Sequence, residues 1–181
     1  IYTVSASNGT CVGSGTILVN TVASPTIVTN NTLLTLCSGL SGSVSVSGAG
    51  TNGTYTWMPG NLSGTAVVLS PSITTGYTVS GTNGAGCSAS ILLPVVVYPS
   101  PTIAIAASKT IACIGESVTL LGSGAATYTW NTGANTGSLV VTSNTANNTY
   151  TLSGTAGNTT CTSTQSIALA VVNPSVNYSA T

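Results

Sequence analysis

Two side chains carry all the charge in this chain of 181 residues, Lys109 and Glu116; Arg, Asp and His are absent. Seven positions apart, the pair could take part in one reaction. That is an intramolecular isopeptide bond from the Lys109 amine to an asparagine, assisted by Glu116. The assisting acid must then be buried, with a shifted pKa. The other readings are an exposed ion pair or two unrelated surface groups. Beyond this pair the chain is chemically poor. General acid–base catalysis draws on His, Asp, Glu, Lys or Tyr tuned toward working pH. Metal sites draw on clusters of Cys, His, Asp or Glu, and phosphate binding draws on Lys and Arg. Without His a serine nucleophile has no base, and a single carboxylate does not make a calcium site. The composition predicts no enzyme, no cofactor or metal, and no nucleic-acid partner.

The other groups with chemical potential are five cysteines, at 11, 37, 87, 113 and 161, and a few aromatics. Asn8, Asn30, Asn52, Asn61, Asn147, Asn158 and Asn177 satisfy the Asn-x-Ser/Thr rule. In a chain this rich in Asn, Ser and Thr such matches arise by composition, so none is singled out. Tyr55, Trp57, Tyr128 and Trp130 could form a sugar-stacking platform, but their alternate spacing along a strand favours the core.

The elements that would hold these residues are strands. Thr and Val dominate, and both are β-branched. Gln, Met, Lys and Glu occur once each, so long helix formers are nearly missing. Gly, Asn and Ser interrupt at turn intervals. The most apolar run, Ile91 to Tyr98, is eight residues long and broken by Pro94, against about 20 for a membrane helix. The aromatics recur at fixed places rather than in the girdles of a membrane barrel, so no membrane insertion is expected. A chain with almost no charge lacks the repulsion that keeps soluble proteins apart. Masking by sugar or deliberate association would explain that, and both point outside the cell.

Self-comparison shows a repeat. Tyr55-Thr-Trp57-Met-Pro-Gly60 returns as Tyr128-Thr-Trp130-Asn-Thr-Gly133. Tyr77-Thr-Val-Ser-Gly-Thr returns as Tyr150-Thr-Leu-Ser-Gly-Thr, with an earlier copy at Tyr2-Thr-Val-Ser. Pro25-Thr-Ile27 matches Pro101-Thr-Ile103, Cys37 matches Cys113, and Pro174 opens a third such junction. The expected organisation is the C-terminal part of one repeat at 1–24, whole repeats at 25–100 and 101–173, and the start of another at 174–181. The chain reads as a slice of a longer array.

Seven strands are predicted in the repeat 101–173, at 102–106, 109–112, 117–122, 126–131, 137–142, 149–154 and 163–172. Asn83-Gly84 marks a hairpin between the last two strands of its repeat. Seven short strands around one mid-repeat Trp predict an all-β chain of tandem immunoglobulin-like sandwiches in an elongated array. Tyr77 and Tyr150 stand two residues before Val79 and Leu152, which is tyrosine-corner spacing. Trp57 and Trp130 are expected in the core against Val46 or Leu120 and against Val79 or Leu152. Apolar residues thus fill the usual inter-sheet disulfide positions.

The cysteines lie elsewhere. Cys37 and Cys113 precede the second strand, while Cys87 and Cys161 begin the last. Because the end of the first strand runs beside the last one in a sandwich, the expected bridges are Cys37–Cys87 and Cys113–Cys161. Cys11 would pair with a residue outside the chain. Each bridge would close about 50 residues, worth on the order of 4 kcal/mol by chain entropy. The other reading is buried free cysteines, which the recurrence of matched Cys pairs in both repeats disfavours. Disulfides imply an oxidising compartment.

Cys113-Ile-Gly-Glu-Ser-Val-Thr-Leu, Thr127-Tyr-Thr-Trp130, Thr149-Tyr-Thr-Leu-Ser-Gly-Thr and Cys161-Thr-Ser-Thr together resemble a known group. These are the immunoglobulin-like repeats of very large secreted Bacteroidota proteins, and the resemblance covers essentially the whole chain. Such repeats occur in surface adhesins, including gliding-motility adhesins, and in substrates of the type 9 secretion system. The repeat at 25–100 departs at Cys37-Ser-Gly-Leu-Ser-Gly-Ser-Val44, which has two extra residues and no glutamate. The expected function is structural, as a segment of a long extracellular filament, stalk or cell-surface adhesin. The expected partners are neighbouring repeats of the same polypeptide, like chains in a fibre, or surface glycans. The second reading is a glycan-binding or spacer module attached to a secreted enzyme.

Overall fold

The structure, a computed structural model, describes residues 1–143 and 148–173. The triplets at Asn147 and Asn177, and the junction and repeat start expected at 174–181, lie outside the described residues. Every element among the described residues is a β-strand, and none of them is a helix long and apolar enough to cross a membrane.

A first hairpin pairs β1 (Tyr2–Ser7) with β2 (Val12–Ile17). Eight strands follow: β3 (Val28–Thr29), β4 (Leu34–Cys37), β5 (Gly42–Ser47), β6 (Thr54–Met58), β7 (Leu62–Ser63), β8 (Ala66–Leu69), β9 (Thr75–Thr82) and β10 (Ser88–Tyr98). They make two sheets, ordered β3-β5-β8 and β4-β10-β9-β6-β7. Seven more complete the described chain: β11 (Ala104–Ala107), β12 (Ile111–Cys113), β13 (Ser117–Ser123), β14 (Thr127–Trp130), β15 (Ser138–Thr142), β16 (Asn148–Thr155) and β17 (Thr162–Val172). Their sheets are ordered β11-β13-β15 and β12-β17-β16-β14. This is the same plan again, an all-β chain of tandem sandwiches.

Alternation along each strand sends every second side chain inward. On β5 these are Val44 and Val46, on β6 Tyr55 and Trp57, on β8 Val67 and Leu69, on β9 Tyr77 and Val79, and on β10 Leu93 and Val95. In the later sandwich Ala112, Val118, Leu120, Trp130, Val141, Leu152 and Leu169 form one buried cluster, with Tyr150 partly buried against it. Trp57 lies opposite Val79 and Trp130 opposite Leu152 in the ladders. Each buried indole keeps a partner for its N–H: Trp57 Nε1 donates to the Gly64 carbonyl at 3.1 Å and Trp130 Nε1 to that of Thr136 at 2.9 Å. A buried donor left alone would cost more than the ring's packing could easily spare.

The repeated glycines record where backbones meet. Gly48 and Gly124 hold φ of +107° and +94°, and a Cβ on either would fall 1.8 Å from the carbonyl oxygen of Thr26 or Thr102. A Cβ on Gly81 or Gly154 would fall 2.3 Å from Cδ1 of Ile27 or Ile103. The Pro-Thr-Ile and Ser-Gly-Thr motifs recur together because they touch.

By contact the chain divides into two compact units. One comprises Ile1–Leu34, Ser41–Ser70 and Thr75–Val95; the other comprises Thr35–Leu40, Pro71–Thr74 and Val96–Thr181.

Candidate functional site

Strand direction decides the cysteine chemistry. β12 runs parallel to β17, with Ile111 opposite Ala170 and Cys113 opposite Val172. Cys113 therefore sits at the far end of β17, whereas Cys161 immediately precedes its first residue. Ten residues of extended chain, about 33 Å, separate the two ends of that strand. The expected Cys113–Cys161 bridge cannot form, because disulfide Cα atoms lie within about 7 Å of each other. The expected Cys37–Cys87 bridge fails for the same reason. β4 borders β10, and the N–H of Ser38 donates to the carbonyl of Tyr98, the last residue of β10, at 2.8 Å. Cys87 precedes the other end of that strand.

The bond that is present joins Cys37 to Cys161, with Cα atoms 5.5 Å apart and 124 positions between them in sequence. Both cysteines belong to the second compact unit, although by sequence Cys37 falls in the repeat 25–100 and Cys161 in 101–173. Cys11, Cys87 and Cys113 are free thiols. Beside the bond lies a groove of about 430 Å³ lined by Ser38, Gly39, Leu40, Ser100, Thr160, Thr162 and Ser163. Its walls combine hydroxyls and backbone with the Leu40 side chain and carry no titratable group.

Each bonded cysteine occupies a local frame that recurs. Cys37-Ser38-Gly39-Leu40 is a turn closed by the Leu40 N–H on the Cys37 carbonyl, with Gly39 at φ +85°. Cys113-Ile114-Gly115-Glu116 is the same turn, closed by Glu116 on Cys113, with Gly115 at φ +84°. Glu116 thus stands where the other repeat has Leu40. Its carboxylate accepts hydrogen bonds from Lys109 Nζ and, at 3.1 Å, from the Cys113 N–H. These bonds hold its pKa below the ordinary value of 4.5, the Lys109 bond contributing most. Both side chains are substantially exposed, at 41% and 38%. An exposed carboxyl pulled down is the reverse of the buried, shifted acid that a crosslink needs, so these surroundings favour the ion pair. Ser143, fully buried, braces the same turn, its hydroxyl lying 2.7 Å from the Cys113 carbonyl and 2.8 Å from that of Glu116.

The aromatics do not form a sugar platform. Trp57, Trp130 and Tyr55 are buried, and Tyr128 is half-buried. A tyrosine role that the sequence did not suggest belongs to Tyr55 and Tyr128. The Ala49 N–H donates to the Tyr55 hydroxyl at 2.8 Å and the Ala125 N–H to that of Tyr128 at 3.0 Å. Each ring thereby pins the turn that follows the close-approach glycine. The matching Gly-Ala pairs, Gly48-Ala49 and Gly124-Ala125, were the available signal. Among the described residues no group of three or more His, Cys, Asp or Glu could hold a metal ion.

No family model and no curated protein matches the chain. Among solved structures, the eight N-terminal Ig domains of Down Syndrome Cell Adhesion Molecule isoform 1.30.30 are similar, at TM-score 0.54 and 18% identity. That match covers 94% of this chain and 27% of the other. The fold is tandem immunoglobulin-like. The chain spans little more than a quarter of that adhesion-molecule fragment. The ICAM-5 D1–D4 ectodomain fragment is similar at TM-score 0.45 and 15% identity, over 89% of this chain and 52% of that one. The titin I-band fragment I67–I69 is similar at 0.38 and 16%, over 84% and 68%.

In immunoglobulin-like terms, the sheets β3-β5-β8 and β11-β13-β15 are the smaller faces, and those built around β9 and β16 are the larger ones. Val46 and Val79, like Leu120 and Leu152, stand where antibody domains join their sheets through sulfur. The sulfur bond lies instead at strand ends, with Cys161 fully buried.

Proposed function

We propose that this chain is a structural segment of a long extracellular filament, stalk or cell-surface adhesin, assembled from immunoglobulin-like repeats at 25–100 and 101–173, with flanking repeat material at 1–24 and 174–181. The Cys37–Cys161 bond carries this reading. It ties residues of successive sequence repeats and needs an oxidising, extracytoplasmic setting. Tension entering the chain before Cys37 and leaving after Cys161 passes through a covalent bond rather than through the strands between. A surface almost without charge, with one Lys and one Glu among hydroxyls, amides and exposed aliphatic side chains, offers neighbours backbone and shape, which suits adjoining repeats, like chains or surface glycans. The motif resemblance narrows the setting to the surface adhesins and gliding-motility proteins of Bacteroidota exported by type 9 secretion. Labelling producing cells with an antibody to this chain and imaging by negative stain is the test. Label strung along filaments that stand off the envelope is expected. Label dispersed in the medium or tracking a secreted hydrolase would replace this reading with that of a spacer.

A further inference from the structure

The free cysteines occupy the same kinds of backbone setting as the two halves of the bond that is made. Cys161 closes its hairpin by accepting the Ala156 N–H at its carbonyl, 3.0 Å. Cys87 does the same for Asn83 at 2.9 Å, and Cys11 for Asn8 at 3.2 Å. On the other side, Cys113 ends a short strand laid parallel to the close of β17, and the next N–H, of Ile114, donates to Val172 at 3.2 Å. Cys37 ends β4, which borders β10, and the next N–H, of Ser38, likewise donates to the last residue of that strand, Tyr98. Cys37 and Cys113 are thus strand-borne halves, and Cys87, Cys161 and Cys11 are hairpin-borne halves.

Cys87 has the more developed seat of the free hairpin cysteines. It is half-buried, and its Sγ lies 3.8 Å from the carbonyl of Val22. The Asn83 side-chain amide donates to the neighbouring Ala23 carbonyl at 3.1 Å. Val22 precedes Pro25 by the interval at which Tyr98 precedes Pro101, and Tyr98 is the residue that receives the Cys37 strand and lies beside Cys161. The stretch leading to Val22 presents Leu18, Val19 and Val22, each more than half exposed.

We propose that Cys87 is a covalent docking site for a cysteine-terminated β-strand of the Leu34–Cys37 or Ile111–Cys113 type. The strand lies parallel to residues 18–22, its terminal cysteine bonds Cys87, and Cys113 is the strand-borne half of the same kind of link. This goes beyond the scaffold reading and does not require it. The bond forms by exchange. The Cys87 thiolate attacks the strand cysteine of a mixed disulfide with a low-molecular-weight thiol. The old S–S bond breaks and the small thiol leaves as thiolate, so no net oxidant is consumed.

The test uses peptides of residues 31–40 and 107–116, each activated as its glutathione mixed disulfide and offered to the intact chain. Mass spectrometry of digests made without reductant then locates the adducts. Oxidised glutathione alone should modify the exposed Cys11 and Cys113 ahead of half-buried Cys87. Both strand peptides should reverse that order and capture Cys87 at least tenfold faster than scrambled peptides with the cysteine at the same position. A strand-peptide order that follows glutathione overturns the proposal. Capture by peptide 31–40 but not by 107–116 overturns the role given to Cys113. A Cys87→Ser chain should lose the fast adduct and keep the slow ones.

Discussion

Glu116 shows how little a lone charge decides here. Its backbone N–H closes a turn that Leu40 closes in the other repeat, and its carboxyl only adds a bond from the Cys113 N–H, so it tunes a geometry the backbone already adopts. Because its pKa is depressed in the folded chain, the stabilisation it gives is complete above its ordinary value of 4.5 and fades as pH falls through the lower folded value. No other side-chain carboxylate exists. Acid titration of unfolding should therefore show a small loss of stability below about pH 4.5, absent in Glu116→Gln; an unchanged acid limb in that variant would remove the turn-bracing role. The glycines matter more. Gly124→Ala puts a methyl group onto the Thr102 carbonyl from a left-handed backbone. It should cost at least about 1–3 kcal/mol in denaturant unfolding, and Gly48→Ala should behave alike. Ser143→Ala strips the hydroxyl from beneath the Cys113 turn and should cost about 1–2 kcal/mol.

Among the elements, the strands were readable because alternation, β-branching and Gly-rich turns all agree. The sequence placed β13 at 117–122, and the structure has it at Ser117–Ser123. The last strand was placed at 163–172 and is found at Thr162–Val172. The Trp strands were equally legible, since an aromatic flanked by Thr at alternate positions has one apolar face to bury. Trp130→Ala would empty the centre of the cluster around Leu120, Leu152 and Leu169. Equilibrium unfolding should show a loss of about 3–5 kcal/mol, with Trp130→Phe well below that. What alternation does not encode is direction. β12 could have run either way along β17 with the same inward residues, and the expected bridges rested on the wrong choice of which end lay beside Cys161.

For the whole molecule, the Cys37–Cys161 bond sets how far the chain can be drawn out. Pulled from its termini under oxidising conditions, the stretch between residues separated by 124 positions stays locked. Reduction should release on the order of 400 Å of further contour length at 3.3–3.6 Å per residue. Force spectroscopy with and without reductant measures this directly, and identical lengths would show that the bond is not made. Closing so long a loop is worth up to about 5 kcal/mol by chain entropy, the loss expected in Cys37→Ser. The amino-acid order alone determined the repeat, the strands, the buried Trp faces and the poverty of chemical groups, because each follows from local periodicity and composition. Which cysteine meets which was settled only by the tertiary arrangement. Sulfur pairing depends on where strand ends come together in space, and a parallel strand carries its cysteine away from the partner that sequence proximity suggests.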